Sequence, residues 1–265
     1  MTKSTYNEQP LSEFLIKIRT KNPKADLDLI SKAYKYAMVA HSGQTRATGD
    51  AFFVHPYNVA HLLIENCIVD TATLCASLLH DIVEDTSISV DEVAKEFTPE
   101  IAEIVEGLTK IDKQEFSERD QYQAENMRKI ILATAKDPRV MIIKLCDRLH
   151  NMQTLQDFRK EKQERIAKHT LQVYAPIAEK LGLPRIKGEL QDWALRYMDP
   201  EMYYFLKENI GLKRAEREKN VLELVDEVSQ LLAANGVRGK ITGRAKYFYS
   251  IARKMNMQSK NLDDI

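Results

Sequence analysis

Cysteine is scarce: Cys67, Cys75 and Cys146 are the only three in a chain of 265 residues. There is no C-x-x-C pair and the count is odd, which argues against a disulfide framework. Each cysteine is read as a small buried hydrophobe, and a reducing cytoplasm fits. Helix breakers are also few. Glycine (9) and proline (8) each make up about 3% of the chain, against usual levels of ~7% and ~5%. The chain therefore leans helical and away from a turn-rich sandwich or barrel. Excess charge of either sign is absent, with 39 Lys+Arg balancing 39 Asp+Glu. No whole-chain basic field points to DNA or to an anionic membrane, so an anionic ligand must be met by a local cluster or a metal. No apolar run approaches the length of a spanning helix. The opening MTKSTYNEQPLSEF has no apolar stretch of the signal-peptide kind.

What is present is a globular balance, 44% hydrophobic and 29% charged, in a length that suits one large domain or two small ones. Apolar residues at Leu27, Leu29, Ile30, Ala33, Tyr34, Ala37 and Met38 have helical spacing over 27–42. A loop with Gly43 and Gly49 follows, and Pro56 can open the next helix, YNVAHLLIENC. Residues 71–85 place Leu74, Leu78, Leu79, Ile82 and Val83 on one stripe, with Thr71 as the expected N-cap. Segment 90–108 is periodic with a break at Thr98-Pro99, and 113–126 is polar enough to be a mobile loop or an exposed helix. Helices are expected over 127–136 and 139–156, separated by Asp137-Pro138 because the residue before proline resists the α region. Helices continue to about Tyr197, and Asp199-Pro200 is the expected boundary. Residues 201–233 read as one or two charged amphipathic helices, and KITGRAKYFYSIARKM as a strand followed by a helix.

The chemistry-bearing residues begin with His80-Asp81, followed by Glu84-Asp85. On one helix, His80 and Glu84 are four apart, as are Asp81 and Asp85, so these pairs share a face. Three clustered carboxylates raise one another's pKa values, a cost that a bound cation relieves; a solvated acidic helix end is the plainer reading. His55 follows a glycine-containing loop and offers a second imidazole. Asp147 lies in KLCDRLHNM, a very apolar segment where a carboxylate needs a partner, with Asn151 and Thr154 continuing its stripe. Together His55, His80, Asp81 and Asp147 make a nitrogen and oxygen donor set suited to Mn²⁺, Zn²⁺ or Fe²⁺. His41, His61 and His169 are read as packing or surface residues. His150 is read as a core histidine, with orientation of a ligand as the alternative. Lys144 and Arg148 are candidate phosphate partners or, equally, salt-bridge partners.

The order H…HD…D resembles the HD phosphohydrolase superfamily. The blocks ATGDAFFVHP, LLHDIVEDT, GLTKI, KLCDRLHNMQTL and YAPIAEKLGLPRIKGELQDWALRYMDPEMY, in that order over roughly 30–255, resemble the N-terminal half of the bifunctional Rel/SpoT alarmone enzymes. The resemblance implies hydrolysis of (p)ppGpp, with the 3′-diphosphate leaving as pyrophosphate. It implies Mn²⁺ held by His55, His80, Asp81 and Asp147, and Glu84 and Asp85 orienting and activating the attacking water. It also implies Arg46 in a guanine pocket and nucleotide contacts at Asn151 and Thr154. Ala47 stands where the family usually has a basic residue, which puts one base contact in doubt. ITGRAKYFYSIARKM is similar to the opening of the family's synthetase domain, where Arg244, Lys246, Ser250 and Lys254 face ATP phosphates. The chain ends before the segment holding the synthetase's catalytic Asp, so synthesis is not expected.

The expected architecture is all-α: an HD-type helical bundle and hydrolase domain over 1–200, then a helical linker and short α/β fragment over 201–265. The polar 113–126 segment is expected to gate the site or to answer to a synthetase half. A related phosphohydrolase of another nucleotide, or a non-catalytic alarmone-binding module, is the alternative function.

Overall fold

The computed structural model describes residues 8–46, 49–110, 119–210, 214–259 and 261–262. The position of Ala47 and residues 113–118 of the 113–126 segment lie outside them; residues 119–126 open a helix. The chain divides into two compact units, Met1–Asp157 and Phe158–Ile265. The only β pairing among the described residues is an isolated bridge between Thr45 and Ala51.

The first unit contains α1 (Glu8–Lys21), α2 (Leu27–Ala40), α3 (Val54–Glu65), α4 (Thr71–Leu79), α5 (Ile82–Asp85), α6 (Val90–Glu96), α7 (Pro99–Leu108), α8 (Arg119–Lys136) and α9 (Pro138–Gln153). The helix starts are set by capping chemistry. Asp26, Asp70, Ser89, Thr98 and Asp137 each accept a hydrogen bond from a backbone N–H of the first turn. At α4 the cap is Asp70, not the expected Thr71. The Thr71 hydroxyl instead accepts from the Asp26 backbone N–H at 3.0 Å, tying the starts of α2 and α4 together.

α4 is the centre of this unit. Leu74, Cys75, Ala76, Leu78 and Leu79 are fully buried, and α2, α3 and α7 pack around it. An all-round apolar helix of this kind belongs in a core. Phe14, Tyr34, Phe53 and Tyr57 form an aromatic cluster joining α1, α2 and α3, with ring centroids 4.8–6.5 Å apart. α9 packs on α3, α7 and α8. The start of α3, the end of α4 and the middle of α9 thereby come together.

Two sequence expectations shift here. α3 starts at Val54, two residues before Pro56, so His55 is already helical. The helix expected over 71–85 is interrupted: α4 stops at Leu79, and His80-Asp81 form a turn before the single turn of α5. Asp81 has φ −95° and ψ −4°, at the edge of helical space.

The second unit contains α10 (Lys160–His169), a π-helical turn (Thr170–Tyr174), α11 (Ala175–Lys180), α12 (Pro184–Met198), α13 (Pro200–Asn209), α14 (Arg214–Ala234) and α15 (Phe248–Gln258). Pro176 lacks the N–H that the ladder would need, and the widened turn sits just before it. α12 packs on α10, α11, α13 and α15, with Leu195, Leu206, Ile251 and Ala252 forming a buried cluster. The expected boundary at Asp199-Pro200 falls inside this unit. It is a helix junction, where the Asp199 carboxylate caps α13 through the Met202 N–H at 3.0 Å. Residues 240–247, where a strand is expected, carry no strand. No described segment pairs with them, and a lone strand leaves its backbone groups without a ladder. They are held instead by α12: Gly188 faces the Tyr247 ring, the Tyr247 hydroxyl donates to the Arg185 carbonyl, and Asp192 accepts from the Tyr249 N–H.

Candidate metal centre

Four side chains from three separate stretches of sequence meet inside the first unit. His55 Nε2 lies 3.2 Å from Asp147 Oδ1 and 3.6 Å from Asp81 Oδ2, and His80 Nε2 lies 3.2 Å from Asp81 Oδ1. His55, His80 and Asp147 each present a donor atom within 4.8 Å of the others, and all three are buried. The fold places them by simple means: His55 on the first turn of α3, His80 and Asp81 on the turn after α4, and Asp147 on α9.

The protonation pattern leaves an electron-rich hole. His80 Nδ1 donates to the Ser77 carbonyl at 2.8 Å, which fixes the tautomer with a bare Nε2. That Nε2 is buried and has no hydrogen-bond partner among the described residues, although Asp81 Oδ1 is close. Two lone pairs facing each other at 3.2 Å repel; a cation between them removes the repulsion. Burial lowers the His55 pKa, opposed by its contact with Asp147, so its imidazole stays neutral near pH 7. Burial pushes the Asp81 and Asp147 carboxyls up. The positive charge that His80 and His55 carry when protonated outweighs this at Asp81, and Lys144 with protonated His55 does so at Asp147, which is held well below the usual carboxylate range. Neutral imidazoles and ionised carboxylates are the forms that bind metal. The donor set and the bare Nε2 fit a borderline or hard divalent cation.

His150 belongs to this arrangement. Its Nδ1 lies 2.8 Å from His55 Nδ1, and burial lowers its pKa to about 3. When His55 offers its Nε2 lone pair, its Nδ1–H donates to the neutral His150 ring. The orienting alternative is therefore the one that fits. Its sequence signal is the three-residue spacing from Asp147, which puts both on one face of α9.

The remaining site candidates surround the cluster. Lys144 forms an ion pair with Asp147, and the Asn151 amide donates to Asp147 Oδ1 while accepting from Arg46 Nη2 at 3.1 Å. Arg46 lies over the Phe52 ring, 5.7 Å from its centroid, and its Nη1 is buried without a partner among the described residues. The Glu84 carboxylate accepts from both the backbone N–H and the ammonium of Lys110. Burial, then Asp81 and Glu84, raise the Asp85 pKa. Thr154 is apart from these contacts: its hydroxyl donates back to the His150 and Asn151 carbonyls at the end of α9. Sequence reasoning does not single out Lys110, Gln44 and Phe52, and it reads His41 as a packing or surface residue. Lys110 lies in the GLTKI block and Phe52 in ATGDAFFVHP, but neither residue type signals a role by itself.

Among the described residues, no helix is long and apolar enough to cross a membrane. The chain is 42% identical over 247 residues to a protein of Myxococcus xanthus named GTP pyrophosphokinase, covering 92% of this chain and 32% of that protein. It is 40% identical over 263 residues to the guanosine-3′,5′-bis(diphosphate) 3′-pyrophosphohydrolase of Aquifex aeolicus, covering 99% of this chain and 37% of the relative. It is 38% identical over 248 residues to the bifunctional (p)ppGpp synthase/hydrolase SpoT of Escherichia coli K12, covering 94% and 35%. The chain thus spans about a third of the length of the curated relatives it matches. Residues 33–184 match the HD domain family, from α2 through α11 and across the buried His–Asp cluster. The chain belongs to the HD domain family.

Proposed function

We propose that this chain hydrolyses (p)ppGpp in the presence of Mn²⁺, releasing the 3′-diphosphate as pyrophosphate and leaving GDP or GTP. The observation that carries the reading is the meeting of two buried imidazoles with the buried Asp147 and the half-buried Asp81 carboxylates, with His80 Nε2 bare among them. The named activities of the Aquifex aeolicus and Escherichia coli relatives supply the substrate.

In this reading His55, His80, Asp81 and Asp147 hold the cation. A divalent cation there lowers the pKa of water and screens phosphate charge that a chain of zero net charge does not otherwise offset. Water adds to the phosphorus bound to the ribose 3′ oxygen, that P–O bond breaks, and the 3′ oxygen takes up a proton. Asp85 is the residue suited to accept the proton of the attacking water, because its raised pKa brings it nearer to neutrality. Glu84 is held by Lys110 and orients this turn. The Arg46 guanidinium, planar and lying over Phe52, is the group that stacks on guanine in this reading. Asn151 and Thr154 complete the nucleotide side, Asn151 through Arg46.

The test is pyrophosphate release from ppGpp by the purified chain with and without Mn²⁺. Metal-dependent release is expected, and ppGpp should outcompete GDP and GTP for binding. Metal-loaded protein that releases nothing contradicts the reading. Preference for a nucleotide without a 3′-diphosphate would assign the chain to another substrate.

A further inference from the structure

α5 is a single helical turn of four residues, and one turn fixes more backbone than its hydrogen bonds repay. Its orientation must come from outside, and two anchors grip it. On one side Lys110 clamps Glu84. On the other, the Gln44 side-chain amide donates to the Asp85 backbone carbonyl at 2.7 Å.

The second anchor has a fixed direction. A backbone carbonyl can only accept, so the Gln44 NH₂ must face Asp85 and its Oε1 must face the other way. That Oε1 lies 2.8 Å from His41 Nδ1, so Nδ1 must carry the proton and donate. His41 is 3% exposed and stacks on Phe52 with centroids 4.6 Å apart. Its other ring nitrogen, Nε2, is buried without a hydrogen-bond partner among the described residues. A buried imidazole with one nitrogen unsatisfied costs more than an apolar ring of the same shape. The nitrogen it does use leads to Asp85.

We propose that His41 and Gln44 are positioning residues that aim Asp85 at the reacting water. The inference rests on the hydrolase reading above. Removing the link leaves the four candidate metal ligands in place and lets Asp85 drift, and misplacement of a reacting group by about 1 Å costs on the order of a hundredfold in rate.

The test compares Gln44→Leu, His41→Leu, His41→Asn and His41→Gln with the wild type. kcat and KM are measured for ppGpp with Mn²⁺, Mn²⁺ affinity by calorimetry, and the thermal midpoint by circular dichroism. Gln44 is half-buried, so Gln44→Leu should fold even if a change at His41 does not. Gln44→Leu and His41→Leu should lower kcat about tenfold to a hundredfold, with KM and Mn²⁺ affinity within about twofold of wild type. His41→Asn puts an N–H donor near the place of Nδ1 and should recover most of the lost kcat. His41→Gln reaches toward Nε2 and should not. Unchanged kcat in folded Gln44→Leu overturns the proposal. So does a His41→Asn variant as slow as His41→Leu, or a loss that tracks Mn²⁺ affinity or the thermal midpoint rather than kcat. An inactive wild type overturns the hydrolase reading itself, and this inference with it.

Discussion

Asp147 is held by three side chains from two helices. It is buried, and His55, Lys144 and Asn151 all contact it. Asp147→Ala should remove Mn²⁺ binding and turnover while leaving helicity near wild type. Calorimetry and circular dichroism check this, and surviving turnover would show that the ligand set is wrong. His150 acts one step away. His150→Leu should weaken Mn²⁺ binding by about 10–100-fold without adding or removing a ligand, because His55 loses the ring that fixes its orientation. The same residue sets a pH dependence. His150 titrates near 6.5 when unfolded and at about 3 in the fold. Above about pH 6.5 both states leave it neutral. Below that, the unfolded chain takes up a proton that the fold refuses, and stability declines by about 1.4 kcal/mol per pH unit. The lowered His55 adds in the same direction. Asp81 and Asp147, held low, lose their contribution only below the usual carboxylate range. Urea unfolding of metal-free protein from pH 7.5 to 5 should show this fall, and His150→Leu should flatten it.

At the scale of elements, the legible features were those written in local chemistry. The Asp137-Pro138 and Thr98-Pro99 breaks stand where proline and a capping side chain dictate them. The turn at His80-Asp81 was hidden, because the apolar stripe runs on through it from Leu79 to Ile82 and both turn residues stay near helical angles. At that turn the Asp81 carboxylate lies 3.2 Å from His80 Nε2 and 3.6 Å from His55 Nε2. His41 and Gln44 were invisible for another reason: their partner is a backbone carbonyl 41 residues beyond Gln44, and no spacing rule reaches that far. The strand expected before α15 failed for want of a partner. Its place is taken by the contact of Tyr247 with Gly188, where any Cβ would overlap the ring. Gly188→Ala should therefore destabilise the second unit by about 1–3 kcal/mol and raise hydrogen exchange over 244–250. Unchanged exchange there would mean that Tyr247 is not what holds the segment.

For the whole molecule, the division of labour follows the chain. All four candidate ligands, Glu84, Asp85, Arg46 and Asn151 lie within the first compact unit, residues 1–157. The HD domain match nevertheless runs on to residue 184, into helices of the second unit. Family membership is thus carried by more of the chain than the chemistry is. The resemblance read from ordered sequence blocks agrees with the match, and those blocks carry His55, His80, Asp81 and Asp147. The most direct measurement is metal analysis of the purified chain alongside pyrophosphate release from ppGpp. One divalent ion per chain, Mn²⁺-dependent release, and loss of both in Asp147→Ala are expected. Release of pyrophosphate that persists in chelator, or a chain that binds no divalent ion at all, would contradict the hydrolase reading.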